Sequence, residues 1–230
     1  MKNGVARRLR RAVLGVVLLA VFWHLWVLGN VLAWTVVPVT GTSFMRLRAV
    51  ESALTVIPEQ QWVPYEAIAE PVIRAVIAAE DDRFMEHSGF DWQAIRRAFD
   101  RNRRAGGAVA GGSTISQQLA KNLFLSSSRS YLRKAEEALI TVALETLWSK
   151  RRIIEVYLNV VEWGEGIFGI GAAARHYYRL PPQALDAADA ARLAVMLPNP
   201  RRYEERFTPR LREHAGRVRQ RMNKSEIPEL

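Results

Sequence analysis

The chain has 230 residues, enough for one globular domain with appendages and too short for a large multidomain enzyme at ~100 to 200 residues per domain. Lysine and arginine number 33 against 23 acids, a formal charge of +10 that points to an anionic partner, and a hydrophobic fraction of 49% supplies a core and excludes wholesale disorder. Without cysteine, disulfides, thiol nucleophiles and thiolate zinc sites are excluded, and no two of the four histidines form an H-E-x-x-H pair.

Lys2, Arg7, Arg8, Arg10 and Arg11 precede an uncharged run from Ala12 to Val37. A helix needs ~20 apolar residues to cross the hydrocarbon core, whereas the apolar part of a cleaved signal is roughly 7 to 15 residues and ends in small residues. This run is longer, and Trp23, Trp26 and Trp34 lie in it without an A-x-A-like exit, so an uncleaved anchor is expected. Positive flanks stay cytoplasmic, which makes 1–11 a basic cytoplasmic tail, 12–37 the transmembrane anchor and 38–230 an outward-facing domain. His24 and Asn30, polar groups at membrane depth, are read as tolerated or as touching another helix.

From Thr40 onward helical runs alternate with short Gly, Ser or Pro breaks, and only Ala53 to Ile57 suggests a strand, so the domain reads as mainly α. Pro71 can open a helix with Val72, Val76 and Ala79 at helical spacing, ending near Glu80. Asp91 can cap a helix from Trp92 to Arg101, and Thr114 with Gln117 makes a capping box for one through Lys121. Helices are expected over Ser130 to Leu147 and, capped by Ser149, Lys150 to Leu158. Gly164, Gly166, Gly169 and Gly171 break the pattern before an alanine-rich helix to about Tyr178. Another helix runs from Asp186 to Leu197, stopped by Pro198 and Pro200, and Thr208-Pro209 starts a final basic helix. No internal repeat or low-complexity tract is evident.

Glu80-Asp81-Asp82-Arg83-Phe84, with His87 and Gly89, crowds three acids at the end of an apolar helix. Crowding and burial of Glu80 would raise its pKa toward general acid–base range, though spacing alone favours a solvated helix end. Gly111-Gly112-Ser113-Thr114 before a capped helix, with Lys121 beyond, offers free N–H groups and a positive dipole end to an anion; an ordinary flexible loop reads the same way. The Walker A spacing is absent. Arg101, Arg103, Arg104, Lys121, Arg129, Arg133 and Lys134 form an acid-free block, and an outward-facing domain meets phospholipid or a phosphorylated lipid rather than nucleic acid. The stretch from Arg201 to Lys224, nine basic and three acidic residues, reads as a surface helix with membrane or polymer contact as the alternative.

Together these segments resemble glycosyltransferase family 51, the transglycosylases that polymerise peptidoglycan, and specifically its monofunctional members. The pattern E-D-x-x-F-x-x-H-x-G is present as Glu80 to Gly89, G-x-S-T-x-x-Q-Q-L-x-K-N as Gly111 to Asn122, and R-K-x-x-E as Arg133, Lys134 and Glu137. K-x-x-I-x-E-x-Y-L-N runs from Lys150 to Asn159, and a glycine-rich fifth motif occupies Gly164 to Gly171, followed by Tyr177 and Tyr178. Ser116 stands where threonine is frequent, and Glu136 adds an acid beside Glu137.

The resemblance implies a lysozyme-like, bilobal, mainly helical domain acting on lipid II and a growing lipid-linked glycan, with inversion at the anomeric carbon. It makes Glu80 the general base supported by Asp81, and Glu137 a second carboxylate near the departing diphosphate. Ser113, Thr114, Gln117, Gln118, Lys121 and Asn122 would bind diphosphate or sugar, Arg129, Arg133 and Lys134 would neutralise charge, and Phe84 and His87 would shape the cleft. No cofactor is obligatory on this reading, although Mg2+ or Mn2+ beside Glu137 is chemically compatible. The stretch after Tyr203 is too short for a transpeptidase, so cross-linking is expected to fall to other cell-wall synthases or divisome proteins. Expected partners are the membrane and these lipid-linked substrates, at the inner membrane with a periplasmic catalytic domain, and not nucleic acid. Two rival readings are a lysozyme-like hydrolase of finished glycan and an anchored non-enzymatic scaffold.

Overall fold

A computed structural model describes residues 2–52, 55, 57–107, 111–128 and 130–229, the first five by backbone alone. Ala53, Leu54 and Val56 of the expected strand, and Arg129 of the expected site, lie outside the described residues. The chain divides into two compact units, Met1–Val37 and Pro38–Leu230.

The first unit is the helix α1 (Lys2–Ala33), apolar and long enough from Arg7 to Ala33 to cross a membrane. Its polar groups turn back on their own backbone: His24 Nδ1 lies 2.7 Å from the Ala20 carbonyl, and Asn30 Nδ2 donates to the Trp26 carbonyl at 2.7 Å. Such i to i−4 bonds lower the cost of placing these groups in lipid.

In the second unit, α2 (Ser43–Glu51) is followed by β1 (Glu59–Gln60) and α3 (Glu70–Glu80). Pro71 sits in the first turn of α3, where its missing N–H costs nothing. Val72, Ile73, Val76 and Ile77 of α3 are fully buried, at roughly 1.5–3 kcal/mol each, against α9 (Ala187–Ala194) and α11 (Pro209–Arg221). The site is carried by α5 (Ile115–Phe124), which packs against α2, α6 (Tyr131–Leu147) and α7 (Lys150–Val160). β2 (Glu162–Gly164) and β3 (Ile167–Phe168) complete a small sheet of order β1-β3-β2, parallel between β1 and β3 and antiparallel, with a bulge, between β2 and β3.

Several boundaries differ from the sequence expectations for local reasons. α4 (Trp92–Ala105) continues beyond Arg101 because Gly106, at φ +66°, supplies the left-handed cap, with Gly107 N–H donating to the Asn102 carbonyl. Gly169 and Gly171 do not break the pattern but open α8 (Gly169–Tyr178). They are glycines because backbone passes close by: a Cβ on Gly171 would lie 2.6 Å from the Gln61 carbonyl oxygen, and one on Gly169, at φ +78°, 2.6 Å from that of Asn159. Asn159 clamps the same segment, its Oδ1 accepting from Val63 N–H at 2.7 Å and its Nδ2 donating to the Val63 carbonyl at 2.8 Å. α9 ends at Ala194 rather than Leu197, and Pro200 opens a further helix, α10 (Pro200–Glu205).

Candidate active site

α3 ends at the acid cluster. Asp81, its C-cap residue, is buried, and its carboxylate joins two elements. Oδ2 accepts from the Ile115 N–H at 3.0 Å, satisfying one of the free donors at the start of α5, and Oδ1 lies 2.9 Å from His87 Nε2. Gly89 N–H donates to His87 Nδ1 at 3.1 Å, so that nitrogen is the acceptor and Nε2–H is the donor to Asp81. The loop is further fixed by Thr114 Oγ1, which donates to the Gly89 carbonyl at 2.7 Å, and by Lys150 Nζ, which donates to the His87 carbonyl at 2.6 Å and to Glu145 Oε1 at 2.8 Å. Lys150 also sits 4.5 Å above the fully buried Phe84 ring, and Ser116 Oγ donates to Glu145.

This scaffold aims Glu80 at α5. Gln118 Nε2 donates to Glu80 Oε2 at 2.8 Å, and Tyr157 Oη of α7 donates to Gln118 Oε1 at 3.0 Å. Burial raises the Glu80 pKa above the ordinary carboxylate value, with the charge of Asp81 adding to the rise and Gln118 and Lys121 opposing it. Burial likewise lowers the Lys121 pKa, which the neighbouring Arg133 and Lys134 depress further while Glu137 and Glu80 hold it up. Glu80 at the end of α3 and Lys121 on the facing α5 are thus each drawn toward neutrality, with Gln118, one turn before Lys121, touching the carboxylate.

Glu137 is buried under two cations: Arg133 Nη1 donates to Oε2 at 2.6 Å and Lys134 Nζ to Oε1. A cleft of about 360 Å³ runs past Gln118, Lys121, Asn122 and Arg133, closed on the other side by Phe44, Arg48 and Glu162. Lys121 Nζ stands 5.9 Å from the Phe44 ring centroid and Arg48 4.7 Å from it. Glu162 is buried, with Oε2 held by Arg48 Nη2 at 3.0 Å. Two buried polar atoms of this wall, Arg133 Nε and Glu162 Oε1, have no partner among the described residues.

Of the residues expected from sequence, Glu80, Gln118, Lys121, Asn122 and Arg133 therefore gather at or beside the cleft, with Lys134 and Glu137 forming the adjoining ion cluster. Ser113 is exposed. Phe84, His87, Thr114 and Gln117 support the site from beneath: Thr114 and Gln117 cap α5 reciprocally, at 3.2 Å and 3.1 Å. Sequence reasoning passed over Tyr157, whose helical spacing with Ile153 and Ile154 marks it as core, and the Arg48–Glu162 pair, whose partners stand 114 residues apart. The signal for Tyr157 was its place inside the Lys150-to-Asn159 motif; for Arg48 there was none.

A family profile described as transglycosylase matches residues 50–224. A protein of Azoarcus sp. (strain BH72) named biosynthetic peptidoglycan transglycosylase is 58% identical over 226 residues, covering 96% of this chain and 97% of the relative. Proteins of the same name from Aromatoleum aromaticum and Dechloromonas aromatica are 58% and 51% identical, covering 95% and 97% of this chain and 96% and 99% of those relatives. With a family profile spanning most of its length and relatives at this identity, the chain belongs to the transglycosylase family, whose domain is mainly helical and lysozyme-like.

Proposed function

We propose that the protein is a membrane-anchored peptidoglycan glycosyltransferase that polymerises lipid II into β-1,4-linked glycan. The observation that carries this reading is the convergence on Lys121 of α5 of a desolvated Glu80 carboxylate from the end of α3 and the Arg133–Lys134–Glu137 cluster of α6. Glu80 takes the proton from the attacking 4-hydroxyl of lipid II as that oxygen bonds to the anomeric carbon of the lipid-linked chain. The bond from that carbon to the diphosphate breaks on the opposite face, giving inversion and undecaprenyl diphosphate. A base with a pKa raised toward the working pH suits this step. Charge gathers on the leaving diphosphate, where fixed cations act with little reorganisation in a partly desolvated cleft. The unpartnered Arg133 Nε and Glu162 Oε1 supply one donor and one acceptor to a polar ligand there.

A divalent cation fits Glu137 poorly, because both its oxygens already accept from Arg133 and Lys134. Those side chains and Lys121 take the neutralising role, and polymerisation is expected to continue in chelator. The basic residues in the first part of α1, ahead of its apolar run, keep the N-terminus cytoplasmic and the catalytic unit on the periplasmic side of the inner membrane. Exposed Trp92 and Phe99 on the arginine-rich α4, with Tyr131 and Leu132 on α6, suit contact with lipid headgroups and acyl chains.

The test is incubation of detergent-solubilised full-length protein with labelled lipid II, with Glu80→Gln alongside. Long glycan from the unmodified protein alone is expected. Shortening of preformed glycan without new polymer would overturn the reading in favour of a hydrolase.

A further inference from the structure

Tyr157 is a fully buried tyrosine in the middle of α7, where the ring packs as core and a phenylalanine would fill the same space. The hydroxyl is what needs explaining, and it reaches Gln118 Oε1 at 3.0 Å while the other end of the same amide donates to Glu80 Oε2 at 2.8 Å. We propose that Tyr157 is a positioning residue for Glu80: its hydroxyl anchors the far end of the Gln118 amide, so that Nε2 is held against the carboxylate and the carboxylate is held toward the cleft. The inference rests on Glu80 being the base.

The chemistry of each link fixes the direction of the chain. An ionised carboxylate only accepts, so Gln118 must present nitrogen to it, which leaves Oε1 pointing into the interior. That carbonyl would be a buried acceptor without a partner unless a donor met it, and the amide would then swing to find one. Burial raises the Tyr157 pKa well above its ordinary value, with Glu80 and Asp81 adding to the rise, so the hydroxyl keeps its proton and remains the donor. When Glu80 has taken up a proton, the same hydroxyl can rotate to accept, and the amide can turn to receive the new O–H. The link is thus compatible with both protonation states of the base, whereas phenylalanine would serve neither.

Other groups around Glu80 do not duplicate this link. Asp81 follows it in the chain and is committed to His87 and Ile115, and Lys121 acts from α5 through its charge. From α6, Arg133, Lys134 and Glu137 act on Lys121, and from α11 Arg221 donates to the Ala78 carbonyl. Among the described residues, the direct hydrogen bond to the Glu80 side chain is the one from Gln118 that Tyr157 anchors.

A hydrogen bond to an ionised group is stronger than to the neutral form, so its loss raises the pKa of the base. In glycan synthesis from labelled lipid II by the full-length chain across pH, Tyr157→Phe should move the acid limb up by about one pH unit. The expected reading is a roughly tenfold deficit on the acid side that shrinks as pH rises. Gln118→Ala should move the limb in the same direction, and adding Tyr157→Phe to it should move it no further. A uniform loss at every pH, a limb that stays in place, or a second shift on the Gln118→Ala background overturns the proposal. Should Tyr157→Phe fail to fold, as read by its unfolding temperature, an unmoved limb in Gln118→Ala refutes the link by itself. The base assignment fails separately: Glu80→Gln that retains turnover removes it, whereas inactive Glu80→Gln with an unmoved Tyr157→Phe limb removes only the positioning role.

Discussion

Asp81→Asn is the substitution that separates scaffolding from chemistry at this site. The two oxygens of Asp81 face two donors, Ile115 N–H at 3.0 Å and His87 Nε2–H at 2.9 Å, and Gly89 N–H occupies the other ring nitrogen of His87 so that the ring cannot change tautomer without losing a bond. An asparagine keeps the shape but turns one acceptor into a donor. In either amide orientation an NH2 then confronts an N–H, at the helix start or at the imidazole. Asp81 is buried, so water cannot repair the mismatch, and losing a bond to a charged acceptor costs roughly 1.5–3 kcal/mol. For a domain of this size each kcal/mol is worth ~2–4 °C in unfolding temperature, which predicts a fall of about 3–12 °C in circular-dichroism melts of the detergent-solubilised protein. Turnover of lipid II should fall as well, because Gln118 and Lys121 ride on the helix that Asp81 anchors. Asp82→Asn, one residue on and exposed, should stay within ~0.5 kcal/mol of the parent. Equal melts for Asp81→Asn and the parent would refute the view that this carboxylate ties α3 to α5.

Three further outcomes are expected. Lys121→Ala should weaken binding of a lipid diphosphate analogue by roughly tenfold or more, the worth of one charge-assisted contact, and unchanged affinity by calorimetry would remove that role. Gly171→Ala should destabilise by about 1–3 kcal/mol because its methyl meets the Gln61 carbonyl at 2.6 Å, while Gly216→Ala, in α11 with nothing within 4 Å, should stabilise by ~0.5–1 kcal/mol; melts that rank the two the other way would refute the packing account. Glu80→Gln should abolish turnover yet raise the unfolding temperature at neutral pH. The folded-state pKa of Glu80 lies above its unfolded value, so its stabilising contribution is present below the unfolded pKa of ~4.3 and is lost as pH rises through the folded one. The stability gap between variant and parent should therefore widen from acid to neutral pH, and a gap independent of pH would contradict the desolvation argument.

Much of the site was legible because its residues lie in short segments whose chemistry is local. The capping box of Thr114 and Gln117 follows from spacing alone, and so does the placement of Gln118 and Lys121 one turn apart. What spacing could not tell is that satisfying the α5 N-terminus occupies Thr114 and Gln117, side chains that otherwise look like ligands. The sheet escaped notice because strands of two or three residues carry no measurable alternation. Gly169 and Gly171 misled for the opposite reason. Glycine is costly in a helix by propensity, and only the approach of the Gln61 and Asn159 backbones, which is a tertiary fact, explains why it is required.

α5 is where fold and chemistry become one question. Its start is fixed by Asp81, its flank by Ser116 to Glu145, and its inner face by Gln118 to Tyr157, so three neighbouring elements set its rotation and rise. On the proposed mechanism base and cation are then not placed independently: Gln118 touches Glu80, and Lys121 follows it one turn later toward the Arg133–Lys134 cluster. Any slip of α5 along its axis would move the proton acceptor's partner and the anion's counter-charge together. Transfer to a sugar hydroxyl with loss of a diphosphate needs those two functions at a fixed separation, and misplacement by about 1 Å is enough to cost ~100-fold. The buried ion pairs and caps around α5 are accordingly better understood as holding that separation than as sources of net stability, since charged pairs of this kind contribute little once their desolvation is counted.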